Sequence, residues 1–287
     1  MEVKGKQYIL HGSRATAIRI WNFADIHYGA RACSIDRLKK DIREVRDDPN
    51  SFFIIGGDYA DFIGYKDAKR FDPDAIAETI TVADLGKLGF TLTSQVRDLF
   101  KPIAHKCLGI LCGNHERAYA LHTHTQELHG WLCSELGVPN LGYCCIFDLV
   151  CIRASGMRTP TLSRDTKHGK TTSQSFRVFA HHGAGFAQTP GGKLNRLVSF
   201  MKNFDADIYF CGHVHDAVAR HLTQLGANDD CTQIQARQRL GIVSGSYLKT
   251  YAEGVCTYGE QKGYEPVALG ARFVTIVPET RELRAEI

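Results

Sequence analysis

The sequence predicts an α/β fold with a parallel sheet in its first half and a second, more antiparallel sheet in its second half. Three observations predict it. Short apolar runs alternate with longer helix-period segments as far as Gly137, strand-like runs then follow one another with few helices between them, and polar clusters close five of the apolar runs. A β-α-β-α-β order calls for parallel pairing with right-handed crossovers, whereas consecutive strands call for antiparallel neighbours.

Each element has its own signal. "AIRIWNFADIH" (17–27) reads as a strand, and Ser34 stands where it can cap a helix over "IDRLKKDIREVRDD", with Ile35, Leu38, Ile42 and Val45 on one side. "SFFIIGGD" (51–58) is apolar enough to be covered on both faces. The segment 74–100 has helical spacing interrupted by Gly86 and Gly89, which predicts two helices. "KCLGILCGNH" (106–115) is a third strand, and "AYALHTHTQELHGWLCSELG" (118–137) a helix ended by Gly137. In the second half "CCIFDLVCIRA", "SFRVFAHH", "ADIYFCGH", "AVARHLTQL", "RLGIVSGSYL" and "ARFVTIVP" are strands of the second sheet, with one clear helix over 193–203. The polar stretch 155–175 offers almost no large apolar residue for burial and reads as a loop insertion. The expectation is one domain over 1–287, with a core of about 17–222 and C-terminal strands plus a Gly- and Tyr-rich segment over about 238–287.

Composition bounds the function. A chain of 287 residues, 44% hydrophobic, can bury a sizeable core, and 35 basic against 31 acidic residues leave a formal charge of only +4. That balance is far from the basic excess of a protein that lives on nucleic acid. The opening "MEVKGKQYILHGSR" has no apolar run longer than three, and no stretch approaches a membrane span, so a soluble cytoplasmic protein with no membrane partner is expected. The ten cysteines fall in or beside apolar runs and read as buried thiols of a reducing compartment.

The chemistry lies at the strand ends. "CGHVH" (211–215) places His213 and His215 two residues apart, so that on an extended chain both rings point the same way. Asp25 and His27 close the first strand, Gly56-Gly57-Asp58 the second, Gly113-Asn114-His115-Glu116 the third, and His181-His182 a later one. In α/β folds this edge carries the site. Asp25, His27, Asp58, Asn114, one of His181 and His182, His213 and His215 make seven donors, too many for one ion and suited to two. Mixed oxygen and imidazole donors without thiolate suit Mn²⁺, Fe²⁺, Zn²⁺ or Ni²⁺. The glycines beside Asp58, Asn114 and His213 permit sharp turns and close approach of metal and substrate.

"DIH", "GGD", "GNHE", "HHG" and "GHVH", in that order over 25–215, resemble the five motifs of the calcineurin-like metallophosphoesterase family. The resemblance implies a four-layer α/β/β/α sandwich of two mixed sheets flanked by helices, and a binuclear metal site. It implies that Asp25, His27 and His215 hold one ion, that Asn114, His213 and His181 hold the other, and that Asp58 bridges. His181 is chosen over His182 because it directly follows the apolar "RVFA". The implied activity is metal-dependent hydrolysis of phosphate esters by a hydroxide bridging two ions, with His115 facing the substrate and Asp61 orienting it. The phosphatase branch of the family continues "DRG" where this chain has "DFIG", so Phe62 replaces a phosphate-gripping arginine and a protein phosphatase is disfavoured.

Substrate contacts are expected from the loops. "HHGAGFAQTPGGKLNR" (181–196) offers His182, Lys193 and Arg196 for a phosphate, against the alternative of a plain connector. The segment after 245 carries Tyr247, Tyr251, Tyr258 and Tyr264 with Lys249 and Lys262, residues that either stack bases or pack a loop over the sheet edge; it resembles that of phage- and prophage-encoded members. A basic loop with Arg158, Arg164, Lys167 and Lys170 adds to a diester preference, with nucleic acid a candidate substrate. A phosphomonoesterase and a non-catalytic scaffold are the alternatives.

Overall fold

The computed structural model describes residues 1–123, 127–165, 172–187, 189–228 and 230–286. The strands are β1 (Glu2–His11), β2 (Ile18–Phe23), β3 (Ser51–Ile55), β4 (Cys107–Leu111), β5 (Asn140–Gly142), β6 (Cys144–Arg153), β7 (Thr161–Ser163), β8 (Thr172–His181), β9 (Ile208–Cys211), β10 (Val218–Ala227), β11 (Ile234–Val243), β12 (Arg272–Val277) and β13 (Glu282–Glu286). The helices are α1 (Ile35–Asp47), α2 (Val82–Leu85), α3 (Leu88–Phe100), α4 (Asn114–Thr123), α5 (Leu128–Leu136), α6 (Pro190–Asn203) and α7 (Tyr258–Gln261).

Two mixed sheets result, ordered β13-β12-β2-β3-β4-β5 and β10-β11-β9-β8-β6-β1-β7. β2, β3, β4 and β5 run parallel. In the other sheet β8 pairs antiparallel with β6 and parallel with β9. The period-two alternation of strands sorts their side chains into layers. Phe53 and Ile55 face a cluster with Leu38, Val45, Leu92 and Phe100 of α1 and α3. Phe52 and Ile54 face the other way, onto Leu149, Val178, Phe210 and Ile242 of the seven-stranded sheet. Phe179, Tyr209 and Val243 on its far side pack against Leu197 and Met201 of α6. Three apolar layers therefore separate four structural ones, as the expected α/β/β/α sandwich requires.

Several expectations need correction. Ser34 precedes α1 but its side chain makes no capping bond. The helix expected over 118–137 is two, α4 beginning already at Asn114 and α5 ending in the left-handed Gly137 (φ 62°). β12 joins the first sheet, between β2 and β13, rather than the second. β1, which no apolar run announced, pairs with β6 and β7 in the second sheet. The loop 155–175 holds β7 and the start of β8, while Lys167 and Lys170 lie outside the described residues. All ten cysteines are free, but Cys231 and Cys256 are exposed. Among the described residues no helix is long and apolar enough to cross a membrane.

Candidate metal centre

The loops after β2, β3, β4, β8 and β9 open at one edge, where backbone bonds lock them together. Asp25 N donates to the Gly57 carbonyl (3.1 Å), His27 N to the Asp58 carbonyl (2.9 Å), and Gly212 N to the His182 carbonyl (2.8 Å). The Asp25 carbonyl in turn accepts from Tyr247 N (3.0 Å) and Ser246 Oγ (3.0 Å). Asp25, His27, Asp58, His213 and His215 all have left-handed backbones, with φ between 46° and 71°. Such a conformation costs a non-glycine residue about 1–3 kcal/mol and persists only where its surroundings fix it. Glycines make that packing possible by lacking a side chain. A Cβ on Gly113 would lie 2.1 Å from Asp58 Oδ1, and one on Gly57 (φ 89°) 2.6 Å from His182 Nδ1. The glycines thus admit the site's own side chains.

The hydrogen bonds assign the imidazole tautomers. His27 Nδ1 donates to Asp61 Oδ1 (3.3 Å), His182 Nδ1 to the Gly56 carbonyl (2.8 Å), and His213 Nε2 to the Gly185 carbonyl (3.1 Å). The opposite nitrogens point inward, toward one another and toward the oxygens of Asp58 and Asn114. His27 Nε2 lies 3.2 Å from His215 Nε2, His182 Nε2 lies 3.0 Å from Asn114 Oδ1 and 3.3 Å from Asp58 Oδ2, and His213 Nδ1 lies 2.8 Å from the same Asn114 oxygen. Asp25 Oδ2 accepts from His213 N (2.7 Å), but its Oδ1 is buried with no hydrogen-bond partner, 3.5 Å from His215 Nε2. Electron pairs that face one another across about 3 Å repel unless a cation stands among them.

The titration behaviour says the same. Burial alone would raise Asp58 and Asp25; the imidazoles nearby, His182 for Asp58 and His215 for Asp25, hold both below the ordinary carboxylate value. Burial opposes a charged His182, yet Asp58 beside it raises it to about 10. The cluster binds a proton where it lacks a stronger cation. Asp25, His27 and His215 form one set whose ligand atoms lie within 4.8 Å of one another, and Asp58, His182 and His213 another. The residues therefore fit two divalent ions, with Asn114 beside the second set and Asp58 facing His27 across 4.0 Å.

One expected donor is corrected. His181 ends β8 on the face of Phe179, stacks on Phe200 of α6 (4.7 Å), and accepts from Gly183 N through Nδ1 (2.8 Å). His182 takes the inward place. Strand parity explains it: Phe176, Val178 and Ala180 face the inter-sheet core, so 181 must face α6 and 182 the other way.

His115 is held from two sides. Its amide donates to Asp58 Oδ1 (2.8 Å), and its Nδ1 donates to the Asp61 backbone carbonyl. The Asp61 carboxylate is nearer to His27 (3.3 Å) than to His115 (3.6 Å), so it orients a candidate ligand as well as the expected partner. Burial disfavours the His115 imidazolium, but Asp58 and Asp61 raise its pKa nonetheless.

Among the substrate candidates, Lys193 is buried and paired with Asp216 (3.2 Å), while Arg196 is exposed beside Gly185. Tyr247 is corrected outright: fully buried, it donates its hydroxyl to Asp41 Oδ2 (2.7 Å) and stacks on Phe23. Arg164 donates to the Cys107 carbonyl (2.8 Å). Phe62 is buried between Tyr59 and Tyr119. Sequence reasoning placed Glu116 in the third strand-end cluster but gave it no role. Its buried carboxylate accepts from Asp58 N (3.1 Å), Tyr59 N (2.7 Å) and Gly113 N (2.7 Å), although burial and then Asp58 push its pKa to about 8. A buried acid at the start of a helix, one residue after His115, was the available signal.

With this geometry in view, comparison with known proteins gives the following. A family model described as calcineurin-like phosphoesterase matches residues 18–217. No curated protein sequence matches the chain. Solved structures that resemble it include a double mutant of Vps29 from Entamoeba histolytica, with 11% identity, a TM-score of 0.37, and coverage of 94% of this chain and 98% of that one. GAP50, the anchor in the inner membrane complex of Plasmodium, shows 9% identity and a TM-score of 0.46 over 91% of this chain and 81% of its own. A predicted phosphoesterase from Streptococcus pneumoniae shows 12% identity and a TM-score of 0.31 over 94% and 98%.

Proposed function

Because the chain belongs to the calcineurin-like phosphoesterase family, we propose that its site hydrolyses phosphodiesters with the help of two divalent metal ions. The observation that carries this is the convergence of seven side chains, Asp25, His27, Asp58, Asn114, His182, His213 and His215, whose ring nitrogens and oxygens crowd together at one sheet edge. Mn²⁺ is the ion we propose; Fe²⁺, Zn²⁺ and Ni²⁺ also suit this mixture of carboxylate, amide and imidazole donors. When bound, such ions supply an acidified water and the positive charge that cancels a phosphate's own.

The chain's residues do the rest. Asp61 fixes His27 by its carboxylate and His115 by its carbonyl. His115 thereby keeps its Nδ1 proton internally engaged and offers Nε2 to the ester oxygen that leaves, as a positioned acid should. Two arguments support a diester. Phe62 points into the core, so the guanidinium that would favour a monoester dianion is missing there. The exposed Arg117 and Arg196 beside the cluster suit a substrate that extends past the cleaved ester on both sides. The ten free cysteines support a reducing compartment such as the cytoplasm.

Metal-stripped protein reloaded with Mn²⁺ should approach two equivalents by elemental analysis and hydrolyse bis-p-nitrophenyl phosphate faster than p-nitrophenyl phosphate. Asp58→Asn should lower metal content and rate together. A clear monoester preference would turn the reading to a phosphomonoesterase or protein phosphatase. Full metal loading with no hydrolysis would turn it to a binding scaffold.

A further inference from the structure

Two guanidinium groups stand at the rim of the cluster without a carboxylate. Many of the other arginines lie against acids, among them Arg19 against Asp48 (2.6 Å), Arg37 against Asp41 (2.7 Å), Arg177 against Asp148 (3.0 Å), and Arg237 against Asp205 (2.8 Å) and Asp207 (2.9 Å), and others, such as Arg164 on the Cys107 carbonyl, lie away from the cluster. Arg117 and Arg196 are exposed and have no carboxylate partner among the described residues. Even Lys193, one turn before Arg196 on α6, is neutralised by Asp216.

Their positions relate them to the site. Arg117 follows Asn114 by three residues on α4, hence shares its face, and helical side chains lean toward the N-terminus, back over Asn114. Its guanidinium lies 5.5 Å from the centre of the Tyr143 ring. That ring meets His182 edge-on at 5.5 Å, and its hydroxyl donates to the Gly183 carbonyl (3.1 Å). Arg196 flanks the other side: a Cβ on Gly185 would lie 3.0 Å from its Nη2, and the Gly185 carbonyl accepts from His213. Each guanidinium is therefore one residue removed from an inward histidine, too far out to replace a metal ligand. Next to Gly185 in the same loop stands Phe186, 95% exposed, an apolar ring that contributes nothing to the core.

We propose that Arg117 and Arg196, one on each side of the cluster, hold the phosphates that flank the one that is cleaved, with Phe186 as a platform for a base, so that the substrate is an oligonucleotide rather than an isolated diester. This rests on the phosphodiester reading above. Guanidinium forks match phosphate oxygens, and an aromatic face accepts any base. Both features serve a strand and neither is needed by a small diester.

The test compares kcat/KM for the dinucleotides pTpT and TpT in Mn²⁺-loaded wild type and in Arg117→Gln, Arg196→Gln and the double variant. Wild type should prefer pTpT by roughly tenfold, the worth of one charge-assisted hydrogen bond, and the double variant should lose that ratio while retaining two metal equivalents. A second arm measures binding of fluorescein-labelled oligothymidylate to metal-loaded His115→Ala protein as salt rises. Removing both arginines should lower the slope of log K against log salt by roughly 0.7 for each lost contact. A ratio near one in wild type, a ratio that survives in the double variant, or an unchanged salt slope would overturn the proposal. Failure of all hydrolysis with the binding arm intact would count against the phosphodiesterase reading and not against this one.

Discussion

At one end of the seven-stranded sheet, Arg177, Arg237 and Arg281 line a cavity of about 790 Å³ together with Asp148, Asp205 and Asp207. At the other, the loops after β8 and β9 gather Asp25, Asp58 and five imidazoles within a few ångströms. The residue types overlap; their partners do not. In the cavity every charge lies against its opposite, Arg237 touching two aspartates and Asp207 also accepting from Arg177 N (2.8 Å). In the cluster the donors of the side chains are spent outward, on Gly56, Asp61 and Gly185, and the opposite nitrogens are turned inward. The cavity is chemically quiet because its charges are satisfied. Reactivity follows from partners withheld, and space alone does not mark it.

That contrast can be broken at several points. The largest effect should come from His115→Ala, which removes the one imidazole of the cluster region whose Nδ1 is tied to Asp61 without being an expected ligand. Steady-state rates should fall by roughly 10²–10⁴-fold, with metal content unchanged, as for loss of a positioned acid. Loss of metal along with rate would make His115 a ligand instead. Asp61→Asn should act through His27, loosening metal affinity by about 10–100-fold in a chelator competition, as outer partners of ligating histidines do. His115 would keep its carbonyl contact, so the rate at saturating metal should change little. The smallest effect belongs to the quiet end. Arg237→Gln should cost about 1 kcal/mol or less in denaturant unfolding, because the arginine is half exposed and its pairs are screened. It should leave hydrolysis unchanged, and a large rate loss there would erase the distinction between the two ends.

How much of this was legible in the sequence depends on whether the signal is local. β2, β3 and β4 are short, wholly apolar and separated by helices, so their parallel pairing could be read directly. β1 escaped because its exposed first half, "EVKGK", resembles a polar leader and only Gln7, Ile9 and His11 are buried. Nothing in "RFVTIV" says which sheet will accept it, so β12 was assigned to the wrong one. At the site the motif residues were evident, since each sits beside glycine at the end of an apolar run. The choice between His181 and His182 followed adjacency when strand parity was the better guide. Tyr247 looked like a stacking residue because a buried acid to receive its hydroxyl, Asp41, lies 206 residues away in sequence.

The Asp41–Tyr247 bond has a consequence for how the protein is made. Asp41 Oδ2 also accepts from Ala271 N (2.9 Å), and Tyr247 N holds the Asp25 carbonyl, so the turn that bears the first aspartate is pinned by residues from the last fifth of the chain. During synthesis Asp25, His27 and Asp58 leave the ribosome long before His213, His215, Tyr247 and β12 exist. The early half carries ligands that attract a divalent ion but no frame that can keep one. The frame that would hold the ions is therefore complete only once the residues through β12 have been made, so a chain released before that point would carry the early donors without the turn that fixes them.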